Sequence, residues 1–297
     1  RRHCRAALAV EIDARQPTQA MRPARDRGAA LVVIERPAVL VDNSHLLLRD
    51  VGVIVGSRLH GFDDLDGDDF PVVISQPVDD IRRGIGPNHR QARIVHRIDK
   101  DTTGLLVVAK SDRAHHGLAK QFEQHSVNRH YIALVHGTPD AADPRLRGTK
   151  GVTFEPGGIV RIATGLARHK TDRQRQAVVW DGAGRHAVTR ARVVESYGDA
   201  AALVDCWLET GRTHQIRVHM AHAGHGLLGD QTYGGRRKLS PKVVGDIAAD
   251  LGNSFPRQAL HAATLGFVHP VTGEEMEFES PLPPDMEDLV AALRTGG

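Results

Sequence analysis

The sequence predicts an α+β protein with a mixed, mainly antiparallel sheet and flanking helices. Two observations carry this expectation. Short apolar runs bounded by Gly, Pro, Asn and Asp outnumber stretches with helical spacing, and strand-like segments follow one another with few helices between them.

Residues 1–30 are Arg- and Ala-rich and weakly patterned, so an extension is expected over 1–36. Its opening, RRHCRAALAVEIDARQ, has the arginine content of a transit peptide, but Glu11 and Asp13 count against one. LVVIERPAVLVDNSHLLL (31–48) holds two apolar runs split by a proline and a turn, which predicts two short strands. The stretch 49–93 has no clear period. VGVIVG suits a strand, but GFDDLDGDDF and RRGIGPNHRQ are loop-like, and this part is expected to be the least protected.

From residue 94 the pattern sharpens. GLLVVAK predicts a short buried strand. SDRAHHGLAKQFEQH predicts an amphipathic helix, with Ser111 or Asp112 at its start and Ala114, Leu118 and Phe122 on one face. RHYIALVHG alternates as a strand and ends in Gly137. Residues 138–176 are rich in Gly, Pro and charge and are expected to form a long, partly structured excursion. AVTRARVVE and AALVDCWLET predict paired strands. TGRTHQIRVHMAHAGHG predicts a helix that opens on a cap-like threonine, buries Ile216, Met220 and Ala223, and stops at Gly224. DMEDLVAALR predicts a short C-terminal helix.

The 297 residues suffice for one large domain or two ordinary ones. Only 4% are aromatic, so Leu, Val, Ile and Ala must fill the core. A net charge of +3 is a mild basic bias, compatible with a polyanionic partner. The two cysteines, Cys4 and Cys206, make no disulfide framework and suit a reducing cytoplasm. There is no secretory apolar segment and no apolar run of membrane-spanning length. The motifs GxxxxGK[ST], GxGxxG after a strand and GxSxG are missing, which counts against nucleotide hydrolysis, dinucleotide chemistry and serine hydrolysis.

The densest chemistry lies in IVHRIDKDTTGLLVVAK (94–110), where Asp99 stands two residues after Arg97 at the edge of a buried strand. Taken alone, such a carboxylate caps a turn, pairs with a cation or reacts. Arg97 alone is a surface charge, and Tyr131 alone a core-edge tyrosine or a substrate contact. The segment 208–225 carries Arg212, His214, Arg217, His219, His222 and His225. Without HExxH or a cysteine pair, and with histidines that drift round a helix in steps of three, no metal site is expected. Donors gathered at a helix start suit phosphate or a carboxylate; the alternative is a solvated basic helix.

Together, HRIDKDTTGLLVVAKS, RHYIALVHG, GRHAVT, LETGRTHQIRVHMAHAGHGLLGDQTYGG and QALHAATLGFVHPVTGEEMEFESPLPPDM resemble the RluA-type RNA pseudouridine synthases. The likeness runs from about 94 to 294, with the motifs in the family's order. PAVLVDNSHLLL is similar to the family's opening strand, whereas 49–93 departs from the family pattern and residues 1–36 show no recognisable copy of the family's small RNA-binding domain.

The resemblance implies the pseudouridine-synthase catalytic fold over 37–297, with a central RNA-binding cleft. It implies isomerisation of a uridine in structured RNA, ribosomal or else transfer RNA, by a monomer that needs no cofactor because the reaction is redox-neutral. Asp99 is the implied essential group, acting on the ribose as nucleophile or base. Arg217 would pair with it, and Tyr131 would pack on the flipped uracil and assist proton removal from C5. Arg97 would fill the vacated space, with His96, Arg212, Thr213, His214 and Gln215 contacting RNA. The alternatives from other classes are a catalytically impaired RNA-binding or ribosome-assembly factor, and a glycoside hydrolase. The latter needs two facing carboxylates, and Asp101, the near partner in sequence, is too close along the chain to supply one.

Overall fold

The computed structural model describes residues 31–32, 39–40, 51–56, 93–109 and 112–296. The N-terminal extension except for 31–32, and the stretch 49–93 except for 51–56 and 93, lie outside the described residues. In chain order the strands are β1 (Leu31–Val32), β2 (Val39–Leu40), β3 (Val51–Gly56), β4 (Arg93–Ile94) and β5 (Thr103–Ala109). Helix α1 (Asp112–Glu123) precedes β6 (Asn128–His136), β7 (Val152–Glu155), β8 (Ile159–Arg168), β9 (Gln176–Val179), β10 (Arg185–Tyr197) and β11 (Ala201–Leu208). Helices α2 (Gln215–His222), α3 (Pro241–Val244) and α4 (Asp246–Asn253) follow, then β12 (Leu260–Val268), β13 (Glu275–Glu279) and α5 (Pro284–Gly296).

Strands β1 and β2 pair antiparallel with each other, as the two apolar runs predicted. The other strands form one sheet in the order β3-β5-β12-β6-β11-β10-β8-β7, with β13 on β12, β4 on β5 and β9 on β8. The pairing is antiparallel except for the β5–β12 contact, which is parallel. The fold is therefore α+β with a mixed, mainly antiparallel sheet, as expected.

The alternation of β6 and β11 builds two cores, one on each face. Tyr131, Ala133 and Val135 of β6, with Ala202, Val204 and Cys206 of β11, pack with Ile216, Met220 and Ala223 of the α2 segment. Leu134 and Leu203 serve the opposite face, against Ala248 and Ala249 of α4 and Leu289, Val290 and Leu293 of α5. Every residue of β5 is buried, and α1 covers it through Ala114 and Leu118 with Phe122 beside them. Full burial of a leucine such as Leu118 stabilises by about 1.5–3 kcal/mol.

Two differences from the sequence reading stand out. The expected excursion over 138–176 contains β7 and a ten-residue strand, β8, in which Val160, Ile162, Thr164 and Leu166 are buried in alternation. Gly165 and the flanking charges hid that period. Helix α2 also has no threonine cap: its N-cap is His214, in the left-handed region at φ 56°, without a side-chain cap bond. Its far end behaves as the sequence predicts. Gly224, at φ 83°, lets its N–H reach the Ala221 carbonyl (3.0 Å) and that of His225 reach Met220 (2.8 Å).

Candidate active site

Asp99 sits in a tight turn before β5. The N–H of Thr102 donates to the Asp99 carbonyl at 3.1 Å, and Asp101 takes a positive φ of 66°, a conformation Asp tolerates. Gln258 locks the turn from the start of β12, donating through Nε2 to the Lys100 carbonyl (2.6 Å) and to Thr102 Oγ1 (3.0 Å). Gly104 lets β12 come this close. A Cβ there would stand 2.2 Å from the Ala262 carbonyl oxygen, and the φ of 104° disfavours other residues. The carboxylate position is thus set by two strands rather than by a free loop.

The Asp99 side chain faces the amino end of α2. The His214 N–H points to Asp99 Oδ1 at 3.4 Å, and Arg217 Nη1 stands 3.6 Å from Oδ2. The anion at this helix start is the protein's own carboxylate. Arg217 is buried and held mainly by Asp230, to which Nε and Nη2 donate at 2.7 and 2.9 Å. Asp230 is buried too and accepts the N–H groups of Thr232 (2.8 Å) and Tyr233 (2.9 Å). Burial opposes the charge on Arg217, but the bonds and charge of Asp230, with the charge of Asp99, outweigh it and raise the guanidinium pKa. Burial likewise acts against ionised Asp230, and Arg217 with the two backbone donors brings its pKa below the usual value.

Tyr233 closes this network. Its hydroxyl accepts the Gln176 N–H at 2.7 Å and shares a hydrogen bond with His214 Nδ1 at 2.8 Å, and its ring lies 5.1 Å from the Arg217 guanidinium carbon. Burial lowers the His214 pKa, against the pull of Asp99. Tyr131 is buried in the same cleft, and burial first, then the Asp99 charge, raises its phenol pKa while Arg129 works the other way.

The cleft holds about 560 Å³ and is lined by Arg97, Asp99, Tyr131, Arg212, Thr213 and His214 among others. That volume lies within the range of about 300–1,000 Å³ for small-molecule sites, so one extruded nucleotide fits and a duplex does not. Arg97 and Thr213 are exposed at its rim. Arg212 donates through Nε to the His186 carbonyl at 3.0 Å.

Two of the expected RNA contacts are committed elsewhere. His96 Nε2 accepts the Val107 N–H at 3.0 Å, the ring stacks on Phe122 at 4.4 Å, and burial lowers its pKa to about 3. It therefore acts as a neutral brace for β5. Gln215 has no hydrogen-bonding capacity left. Its Oε1 accepts from Thr210 Oγ1 (2.7 Å) and the Arg212 N–H (2.9 Å), and its Nε2 donates to the Val188 carbonyl (2.9 Å) and Thr189 Oγ1 (3.0 Å). It shapes the 210–214 loop from the wall of the cleft.

The histidines of this segment also part company. His219 lies between Thr164 and Thr189, His222 reaches the Lys150 carbonyl, and His225 reaches the His136 carbonyl. Sequence reading missed Asp230 and Tyr233, although both lie in the quoted GDQTYGG. The available signal was charge: Glu209 and Asp230 are the only acids in 208–235, and a buried arginine needs a carboxylate.

The α+β fold thus sets a carboxylate and a buried tyrosine in one cleft, with an anchored guanidinium 3.6 Å from the carboxylate, and comparisons with known proteins show what this arrangement is similar to. Residues 77–222 match the family described as RNA pseudouridylate synthase. Ribosomal large subunit pseudouridine synthase D of Zymomonas mobilis is 47% identical over 210 residues, covering 71% of this chain and 58% of that protein. The protein of the same name from Pseudomonas aeruginosa is 45% identical over 207 residues, covering 70% and 58%. The chain thus spans less than two thirds of these relatives. In fold, it is similar to human RNA pseudouridylate synthase domain containing 1, at a TM-score of 0.54 and 21% identity over 92% of this chain and 98% of that one.

Proposed function

We propose that this chain isomerises uridine to pseudouridine in RNA, with Asp99 as the reacting carboxylate. The observation that carries this is the setting of Asp99: a rigid turn at the floor of a nucleotide-sized cleft, with Arg217 at 3.6 Å and Tyr131 lining the same space.

The reaction breaks the bond from C1′ to N1 of the base and forms one from C1′ to C5. The C5 proton is released and N1 regains one, so nothing is oxidised or consumed. A stacked uridine is out of reach and must be extruded. Arg97, exposed at the rim, fills the gap it leaves, since a planar guanidinium stacks on bases and binds phosphate. Asp99 acts on the ribose. Arg217 fixes the carboxylate and is itself held by Asp230. Tyr131 packs against the uracil, its phenol kept neutral by burial. Arg212 and Thr213 take the RNA backbone beside the site.

The residues named come from one chain, so a monomer suffices, with 37–297 as the catalytic unit. Among the described residues no helix is long and apolar enough to cross a membrane. Both relatives are named for the large ribosomal subunit, which makes its RNA the substrate to test first and the cytoplasm the place of action. The experiment is to map pseudouridines in RNA from cells with and without the gene. A large-subunit site lost with the gene and restored by it supports the proposal; identical maps contradict it.

A further inference from the structure

Two arginines in the cleft region are equally buried and treated in opposite ways. Arg217 is 6% exposed and has the carboxylate of Asp230, whereas Arg129 is 8% exposed and its Nε and Nη2 have no hydrogen-bond partner among the described residues. A desolvated cation without a counter-charge is among the most costly groups a fold can hold. What the structure offers Arg129 is partial: its guanidinium carbon lies 5.6 Å from the centre of the Phe122 ring. The 210–214 loop gives it room, since a Cβ at Gly211 would stand 2.5 Å from its Nη1.

The surroundings are cationic. Arg97, Arg129, Arg185, Arg212 and His125 line the same cleft, against the two acids Asp99 and Glu123. Burial, then the charges of Arg129 and Arg212, lowers the His125 pKa, and burial, then Arg185, lowers that of Arg212. Arg129 also precedes Tyr131 by two residues on β6 and so shares its face, about 6.5 Å along the strand. That distance is close to the step from a nucleobase to its own backbone phosphate.

We propose that Arg129 anchors a phosphate subsite that takes the phosphodiester adjoining the nucleotide beside Asp99. The assignment rests on the RNA reading above. A phosphate presents two oxygens to the guanidinium fork and neutralises it, while a base carbonyl would satisfy one N–H and leave the charge. The site is therefore unfavourable when empty and relieved when filled.

That asymmetry gives the test. Arg129→Met removes an uncompensated charge, so the free variant should melt at or above the wild-type temperature. It should bind RNA roughly tenfold or more weakly. The slope of log affinity against log salt should shrink by about one phosphate's worth, while Arg129→Lys, which keeps the charge, should retain the slope. In a separate arm without RNA, inorganic phosphate at constant ionic strength should raise the wild-type melting temperature and leave Arg129→Met unmoved. A destabilised Arg129→Met with an unchanged slope would make the residue a structural brace and overturn the proposal, as would equal phosphate shifts in both proteins. If wild type binds no RNA, the proposed function fails on its own, and the phosphate arm still decides the subsite.

Discussion

Arg217 is held by Asp230 and only approached by Asp99: two hydrogen bonds of 2.7 and 2.9 Å join it to the first, and a 3.6 Å contact to the second. The guanidinium is thus fixed from behind, and one terminal nitrogen is left to face the Asp99 carboxylate. In the proposed reaction, the position of Arg217 depends on Asp230, a carboxylate buried behind it.

Asp230→Ala should therefore damage both folding and activity. It leaves a buried guanidinium without its partner, which costs about 3–5 kcal/mol. Asp230→Asn keeps the shape and some of the bonds and should cost less. Thermal melts beside turnover assays check this; a full-activity Asp230→Ala protein would remove the residue from the site's support.

Arg217→Lys keeps the charge and loses the fork. Activity should fall about a hundredfold or more, since a point charge cannot serve Asp230 and orient Asp99 together. The burial of Arg217 also predicts a loss of stability of about 1–3 kcal/mol, which a denaturant titration measures.

RNA affinity should fall steeply with salt. With three or four phosphates neutralised by the cleft arginines, affinity should drop roughly a hundredfold between about 50 and 200 mM salt. A filter-binding titration that is flat across this range contradicts a phosphate-tracking cleft.

Stability should fall as the medium becomes acid. Burial lowers His96 and His219 to about 3, and His136 and His261 to about 4, from an ordinary 6.5. Below pH 6.5 the unfolded chain takes up protons that the folded chain refuses, so stability is complete above that value and declines towards the folded pKa values. Asp230, with its lowered pKa, adds a further loss at more acid pH. Melting temperatures measured from about pH 7.5 to 4.5 should decrease throughout the lower part; a flat profile contradicts neutral burial of these histidines.

Much of this was legible in the sequence because it depends on local pattern. The period of α1, the alternation of β6 and the αL glycine after α2 each follow from a few adjacent residues. Asp99, Tyr131 and Arg217 were legible through the motif resemblance, and the structure puts the first two in one cleft with Arg217 buried 3.6 Å from Asp99. What stayed hidden depends on distant pairing. Nothing local to His96 says that its ring braces Val107, and nothing local to Gln215 says that Val188 and Thr189 use its amide. Asp230 meets Arg217 only because the chain folds back after Gly224. Strand β8 was obscured by a glycine and exposed charges that its neighbours β7, β9 and β10 accommodate.

The central claim is that Asp99 reacts. Asp99→Asn preserves size and most hydrogen bonds while removing the charge a nucleophile or base requires. The decisive measurement is tritium release from C5-labelled uridine in large-subunit ribosomal RNA, run on wild type and Asp99→Asn beside melts and RNA titrations of both. A catalytic Asp99 predicts a variant that folds and binds RNA about as wild type does, yet loses turnover by roughly a thousandfold or more. Equal tritium release from the two proteins would contradict the assignment.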